Sequence, residues 1–290
     1  MHKICLGDIV GRKSYNSDIM FKVMDFYLSS ATGEEIAVLK GIDYRLIADA
    51  PVHDLVKPTK EEEDYKRKNI ELKVREQFTR TRREERLIEE EVKQKNITNK
   101  LSQYDFFGLP GRVLHLDGDE DYLERCLQKY KELNIEAIGE AVDEKEQPQI
   151  VLGLLRRYRP DILVLTGHDG IRKGAEDLDD LNNYHSSKYF VEAVKQARFF
   201  EKGRDELIIF AGACQSHFSA LMKAGANYAS SPQRVLIHIF DPVLVVEKLA
   251  KSSVRVTVPL DQVIGNTLTG IAGIGGIETK GKFRLGLPKF

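Results

Sequence analysis

Two side chains stand where apolar runs stop, and together they are capable of acyl-transfer chemistry. "PDILVLTGHDG" delivers His168, and "ELIIFAGACQSHF" delivers Cys214 46 positions later. A thiol with a pKa near 8.5 is mostly protonated at neutral pH. A neighbouring imidazolium or a helix N-terminus stabilises the reactive thiolate. "QSHFSALMKAG" predicts a helix immediately after Cys214, and Gly225 closes it. Gly167 and Gly170 flank the histidine and Gly212 precedes the cysteine. Small residues there let a substrate backbone approach and leave N–H groups free for an oxyanion. Taken singly, a cysteine or histidine at a strand end is more often core than catalyst. Their joint placement at two strand termini points to a nucleophile and its base.

The pair works only if the strands that carry it are neighbours. From Gly108 onward the chain alternates apolar strands with amphipathic helices. "GRVLHLDGD", "IEAIGEAV", "PDILVLTGHD", "ELIIFAGAC" and "RVLIHIF" read as strands. "DYLERCLQKYKEL", "PQIVLGLLRRY", "SKYFVEAVKQARFF", "SHFSALMKAG" and "DPVLVVEKLA" read as helices. Such alternation specifies an α/β fold, a parallel sheet with helices on both faces. Ligands bind such sheets beyond the carboxyl ends of the strands. Adjacent strands lie about 4.8 Å apart, which puts an imidazole within reach of a thiol.

Two further regions precede this one. Residues 1–58 hold short apolar segments, "KICLGDIVGR", "IMFKVMDFYL", "EEIAVLKGI" and "YRLIADAP", separated by turn residues. They predict a small SH3-like β-barrel, read first as a docking module without chemistry. Residues 59–107 form a charged helical linker in which Ile70, Val74 and Phe78 repeat at helical spacing. Within it, "RTRREER" exposes Arg80, Arg82, Arg83 and Arg86. Residues 108–290 make up the third region.

Composition removes several classes of function. With 42% hydrophobic and 31% charged residues the chain is globular. A formal net charge of −1 argues against a dedicated nucleic-acid binder. Three cysteines, Cys5, Cys126 and Cys214, suit a reducing compartment and no disulfide framework. The N-terminal residues lack a signal-peptide apolar region, and no run is long enough to span a membrane. Cysteines and histidines lack zinc-ligand spacing, so neither a metal nor another cofactor is expected.

Apolar block–His–Gly followed by apolar block–Ala–Cys resembles the signature of the caspase-like cysteine peptidases, the group of caspases, legumain, clostripain and gingipains. Caspases carry their histidine about 50 residues upstream of the cysteine, a similar separation. The chain departs from that pattern in interposing Asp169 between His168 and Gly170, and in following Cys214 with Gln-Ser. Nearly the whole chain resembles the YabG family of sporulation-specific proteases of spore-forming Firmicutes. The blocks that carry this resemblance are "PGRVLHLDGDEDYL", "RPDILVLTGHDG", "DDLNNYHSSKYFVE", "FAGACQSHF", "AGANYASSP" and "GGIETKG", with "GDIVGRKSY" and "YRLIADAP" near the N-terminus.

That resemblance implies a peptidase of the sporulating cell that cleaves spore-coat and germination-related proteins after arginine. It implies a cytoplasmic location associated with the forming coat. On this reading Cys214 is the nucleophile and His168 the general base and acid. The Cys214 N–H, with that of Asp169 or Gly170, faces the oxyanion, and Asp169 shapes the loop. Arginine specificity requires a carboxylate that accepts a guanidinium fork. Asp117 is the first candidate, Asp119 the second, and the "EDLDD" cluster (Glu176, Asp177, Asp179, Asp180) the third. The same specificity predicts self-cleavage at Arg80–Arg86. The rival expectations are a non-peptidase thiol hydrolase or acyltransferase on the same sheet, and a non-catalytic binding scaffold.

Overall fold

The computed structural model describes residues 3–30, 32–96 and 107–287, the side chains of residues 80–96 excepted. It divides into two units, residues 1–73 and 74–290.

In the first unit, five strands form one antiparallel sheet in the order β4-β3-β2-β1-β5. They are β1 (Ile9–Arg12), β2 (Phe21–Leu28), β3 (Glu35–Gly41), β4 (Ile47–Pro51) and β5 (Leu55–Val56). Alternating residues turn inward, so Val10, Phe21, Val23, Ala37, Leu39, Ala50 and Leu55 make its core. The charge-rich segment forms one long helix, α1 (Lys60–Asn96), which is divided between the units. Thr59 and Glu62 cap its start reciprocally, as Thr59 N–H meets the Glu62 carboxylate and Glu62 N–H meets Thr59 Oγ1. In the second unit, Val74 and Phe78 are the buried apolar residues among those of this helix whose side chains are described.

The second unit is built on a mixed six-stranded sheet. Its strands are β7 (Val113–Asp117), β8 (Ala137–Ala141), β9 (Ile162–Thr166), β10 (Ile208–Ala211), β11 (Tyr228–Ser230) and β13 (Ile274–Gly276). They lie in the order β13-β11-β10-β9-β7-β8, and all pairs are parallel except β11 with β13. Short ladders complete the unit: β6 (Phe107–Leu109) with β15 (Arg284–Gly286), and β12 (Thr257–Val258) with β14 (Thr279–Lys280). The helices are α2 (Glu120–Glu132), α3 (Gln147–Tyr158), α4 (Ser187–Phe200), α5 (Phe218–Ala224), α6 (Asp241–Lys251) and α7 (Leu260–Ile264).

The strands have two buried faces, and a period of two separates them. Leu114, Leu116, Leu163, Leu165, Ile209 and Ala211 share a core with Val151 and Leu155 of α3, Phe190 and Val194 of α4, and Leu221 of α5. Residues between them in sequence, such as His115, Val164, Thr166 and Phe210, are wholly buried as well and point the other way. On that face Tyr130 of α2 donates its hydroxyl to His115 Nδ1, and Cys126 of α2 faces the Ile239 carbonyl. The near-continuous apolar strands are thus explained by burial on both sides.

One expected strand does not form. "RVLIHIF" (234–240) is a loop, and the fifth parallel position belongs to Tyr228–Ser230. Gly225, at φ +119, ends α5 so sharply that Asn227 already bonds Ile209 and the chain enters the sheet there. Ser231 and Arg234, both at positive φ, then turn it out of the sheet. Ile237 and Ile239 are fully buried outside the ladder, and the Ile237 N–H meets the Cys214 sulfur.

Candidate active site

The register of the sheet decides where His168 and Cys214 emerge. β9 and β10 are parallel neighbours, and Leu165 is paired with Ala211. His168 and Cys214 each follow their paired residue by three positions, so they leave the sheet at the same level of the same edge. The ladder continues one step further, since Gly212 N–H donates to Leu165 O at 2.9 Å. Gly212 has φ +108, and a Cβ there would lie 2.3 Å from Ser230 Oγ. Its lack of a side chain allows the turn that presents Ala213-Cys214.

The histidine is framed by two carboxylates from the neighbouring strand ends. Asp119, two residues past β7, has Oδ2 3.4 Å from His168 Nε2. Its other oxygen accepts Tyr122 N–H at 3.1 Å and so caps α2. Glu144, three residues past β8, has Oε1 2.6 Å from the His168 backbone nitrogen and 3.8 Å from Nδ1. Burial pushes the Glu144 carboxyl above the usual carboxylate range. The Tyr122 ring lies 5.5 Å from the imidazole, centre to centre. Strand order therefore lines up Glu144, Asp119, His168 and Cys214 across one edge, from β8, β7, β9 and β10 in turn.

The cysteine is held differently. Cys214 is fully buried; its sulfur accepts Ile237 N–H at 3.3 Å and lies 3.7 Å from Ile237 O. Helix α5 begins only at Phe218, and His217 occupies the cap position, its Nδ1 accepting Ala220 N–H. The expected helix terminus therefore lies beyond Cys214. The other His217 ring nitrogen is 3.1 Å from Asp179 O, so its ring is engaged at both nitrogens.

Asp169 ties the two loops together. Its Oδ1 accepts the N–H groups of Gly170 at 2.9 Å and Ser186 at 2.7 Å. Its Oδ2 accepts the hydroxyls of Ser216, at 2.8 Å, and Ser187. Ser216 Oγ in turn accepts Ala213 N–H, and Ser187 Oγ accepts His217 N–H. Burial pushes the Asp169 carboxyl up, and its four donors pull it back. The Gly170 N–H is thus committed to the Asp169 side chain.

The expected arginine-binding carboxylates are dispersed. Asp117 is fully buried; Thr166 Oγ1 donates to its Oδ2 at 2.9 Å and Asp119 N–H to its Oδ1 at 3.1 Å. Because Thr166 gives its proton to Asp117, the neighbouring His115 Nε2, 2.7 Å away, is the donor to Thr166. Asp119 is beside His168, as described. Asp177 is exposed, and its carboxylate accepts Asp179 N–H at 2.9 Å.

A family model described as YabG peptidase U57 matches residues 5–288. The chain belongs to this family. It is also 44% identical over 283 residues to the sporulation-specific protease YabG of Bacillus subtilis (strain 168), covering 98% of this chain and 97% of that protein. The chain is accordingly a peptidase, of the sporulation-protease type. Among the described residues, no helix is long and apolar enough to cross a membrane.

Arg80, Arg82, Arg83 and Arg86 lie on α1, but their side chains fall outside the described residues. Sequence reasoning passed over Glu144, Ser187 and Ile237 and set Ser216 aside as a bystander. Glu144 carried a signal: an acidic residue just past the strand "IEAIGEA", on the edge where the reactive residues emerge. The two serines carried none, because hydroxyls near helix starts ordinarily serve as caps.

Proposed function

We propose that the chain is a cysteine endopeptidase of sporulation that cleaves spore-coat and germination-related proteins after arginine, with Cys214 as nucleophile and His168 as base and acid. The observation that carries this reading is the equal register of the two residues past paired positions of β9 and β10. The strand order, with histidine after the third strand of the sheet and cysteine after the fourth, supports a caspase-like arrangement.

In the reaction, Ile237 releases the sulfur and the thiolate attacks the peptide carbonyl. The N–H groups of Cys214 and Asp169 stabilise the tetrahedral oxygen. His168 passes its proton to the leaving amine, then takes one from water, whose attack on the thioester frees the acyl group. Asp119 and Glu144 favour the imidazolium during these steps. Of the carboxylates considered for the guanidinium, Asp119 has the strongest support, being next to His168 where a substrate side chain preceding the scissile bond would lie. The antiparallel order of the first unit supports an SH3-like barrel that docks substrate or coat components. The arginine run at 80–86 is the proposed self-processing region.

Cleavage of an internal arginyl bond in a fluorogenic peptide tests the assignment. Cys214→Ala and His168→Ala are each expected to lower kcat/KM by about 10³-fold or more. Cleavage by Cys214→Ala at the wild-type rate would sink it. Mass spectrometry of incubated wild-type and Cys214→Ala protein tests self-processing: cuts after Arg80–Arg86 are expected in the wild type alone, and an intact wild type overturns that part.

A further inference from the structure

Glu144 reaches His168 by an unusual route. It follows β8, the outermost strand, while His168 follows β9, and β7 lies between them. The carboxylate therefore has to pass over the end of β7. At that crossing the residue is Gly118, and at the arrival point it is Gly167. A Cβ on Gly118 would sit 2.1 Å from Glu144 Oε1 and 2.5 Å from Cδ. A Cβ on Gly167 would sit 2.1 Å from the same oxygen and 2.8 Å from Cδ. The space that both glycines leave empty is filled by this one carboxylate. At Gly118 the backbone makes no left-handed demand, so space alone explains the residue.

The loop that carries Glu144 is braced toward β9. Gln147 donates its amide to Thr166 O at 2.9 Å and Val142 O at 3.2 Å, and Glu146 N–H closes a turn on Asp143 O. At the end of this reach the carboxylate accepts the His168 N–H at 2.6 Å, a strong charge-assisted hydrogen bond. The 3.8 Å to Nδ1 is too long for a hydrogen bond but close for a charge. An amide oxygen would accept the same N–H without the cost of burying a charge. What the charge adds is a bias on the imidazole beside it. Among the described residues, groups that face this site include Asp119 at Nε2, Asp117 and Asp143 around Glu144, and the Tyr122 ring.

We propose that Glu144 is a positioning residue of the active site, pinning the His168 backbone across β7 and favouring the imidazolium, with Gly118 and Gly167 as the slot that admits it. This rests on the reading of His168 as general base. In the cysteine mechanism the alkaline limb of the kcat/KM profile follows loss of the imidazolium.

The test is the pH profile of arginyl-peptide cleavage by the full-length chain and its variants. Glu144→Gln keeps the hydrogen-bond acceptor and shape, so it serves even if Glu144→Ala fails to fold. For Glu144→Gln, kcat is expected to fall about 10-fold with KM within about 2-fold, and the alkaline limb to move about one pH unit lower. Gly118→Ala is expected to lose at least as much as Glu144→Gln, and to add less than about 3-fold when combined with Glu144→Ala. A wild-type kcat and profile in Glu144→Gln, or full additivity of the pair, overturns the proposal while an inactive His168→Ala leaves the dyad standing. An active His168→Ala overturns both.

Discussion

His168 keeps 22% of its side chain exposed between the carboxylates of Asp119 and Glu144, whereas Cys214 has no exposed surface and rests on the backbone of Ile237. The histidine loop is held from the β7 and β8 ends by charge. The cysteine loop is held from α4 and its own turn by hydroxyls and amides, through Ser187 and Ser216. The division makes electrostatic sense. Anions beside an imidazole favour its charged form, but anions beside a thiol oppose the thiolate. The carboxylate that touches both loops, Asp169, has its oxygens taken up by four donors.

This contrast breaks most visibly at Asp169. Removing its carboxylate in Asp169→Ala orphans two N–H groups and two hydroxyls, for about 3 kcal/mol of stability and about 100-fold in kcat. Chemical denaturation and peptide cleavage would read both. Asp169→Asn, which still accepts on one oxygen, should lose less of each, and equal losses would refute the hydroxyl-clamp account. Ser216→Ala removes a single arm, the acceptor of Ala213 N–H. It should cost about 1 kcal/mol and about 10-fold in kcat, without moving the pH profile, because no charge beside His168 changes.

On the histidine side Asp119→Asn separates two roles. Loss of a guanidinium acceptor raises KM for arginyl peptides by about 10-fold or more, while loss of an anion beside the imidazole lowers the alkaline limb. A KM effect is expected to dominate, and a pure shift of the limb would transfer the arginine pocket elsewhere. The smallest effect lies further along the cysteine half of the sheet. Burial pushes the Tyr228 phenol from 10.0 up to about 12. Between these values the unfolded chain has lost a proton that the folded chain keeps. Its contribution to stability is therefore full below pH 10 and lost as pH rises through 12. Tyr228→Phe should flatten the denaturation curve in that window, and an unchanged slope would exclude this source.

The strand-end placement of His168 and Cys214 was readable because each follows a strand whose apolar run needs no partner to be recognised. The same local logic located the helices from α2 to α6 and the start of α1. It failed at "RVLIHIF", where apolar β-branched residues suit a strand and equally suit a buried loop. Only the turn at Gly225 and the residues at positive φ that follow decided between them. Asp117 and Asp119 in "LDGD" were the first and second candidates for the guanidinium. In the fold one is sealed with Thr166 and the other caps α2 beside His168, because β7 ends at Asp117 and the turn through Gly118 takes Asp119 out of the strand's alternation.

By itself the sequence determined the alternation of strands and helices, the burial of both sheet faces, the placement of His168 and Cys214 at strand ends and the family. These rest on periodicity and on ordered blocks, which are local properties of the chain. Tertiary structure alone decided which carboxylates meet the histidine, because that depends on β7 lying between β8 and β9. It also decided that Asp169 joins the histidine loop to the cysteine loop through serines 29 residues apart in the chain, Ser187 and Ser216. Side chains far apart in sequence become partners only when strand order and register bring their backbones to one edge.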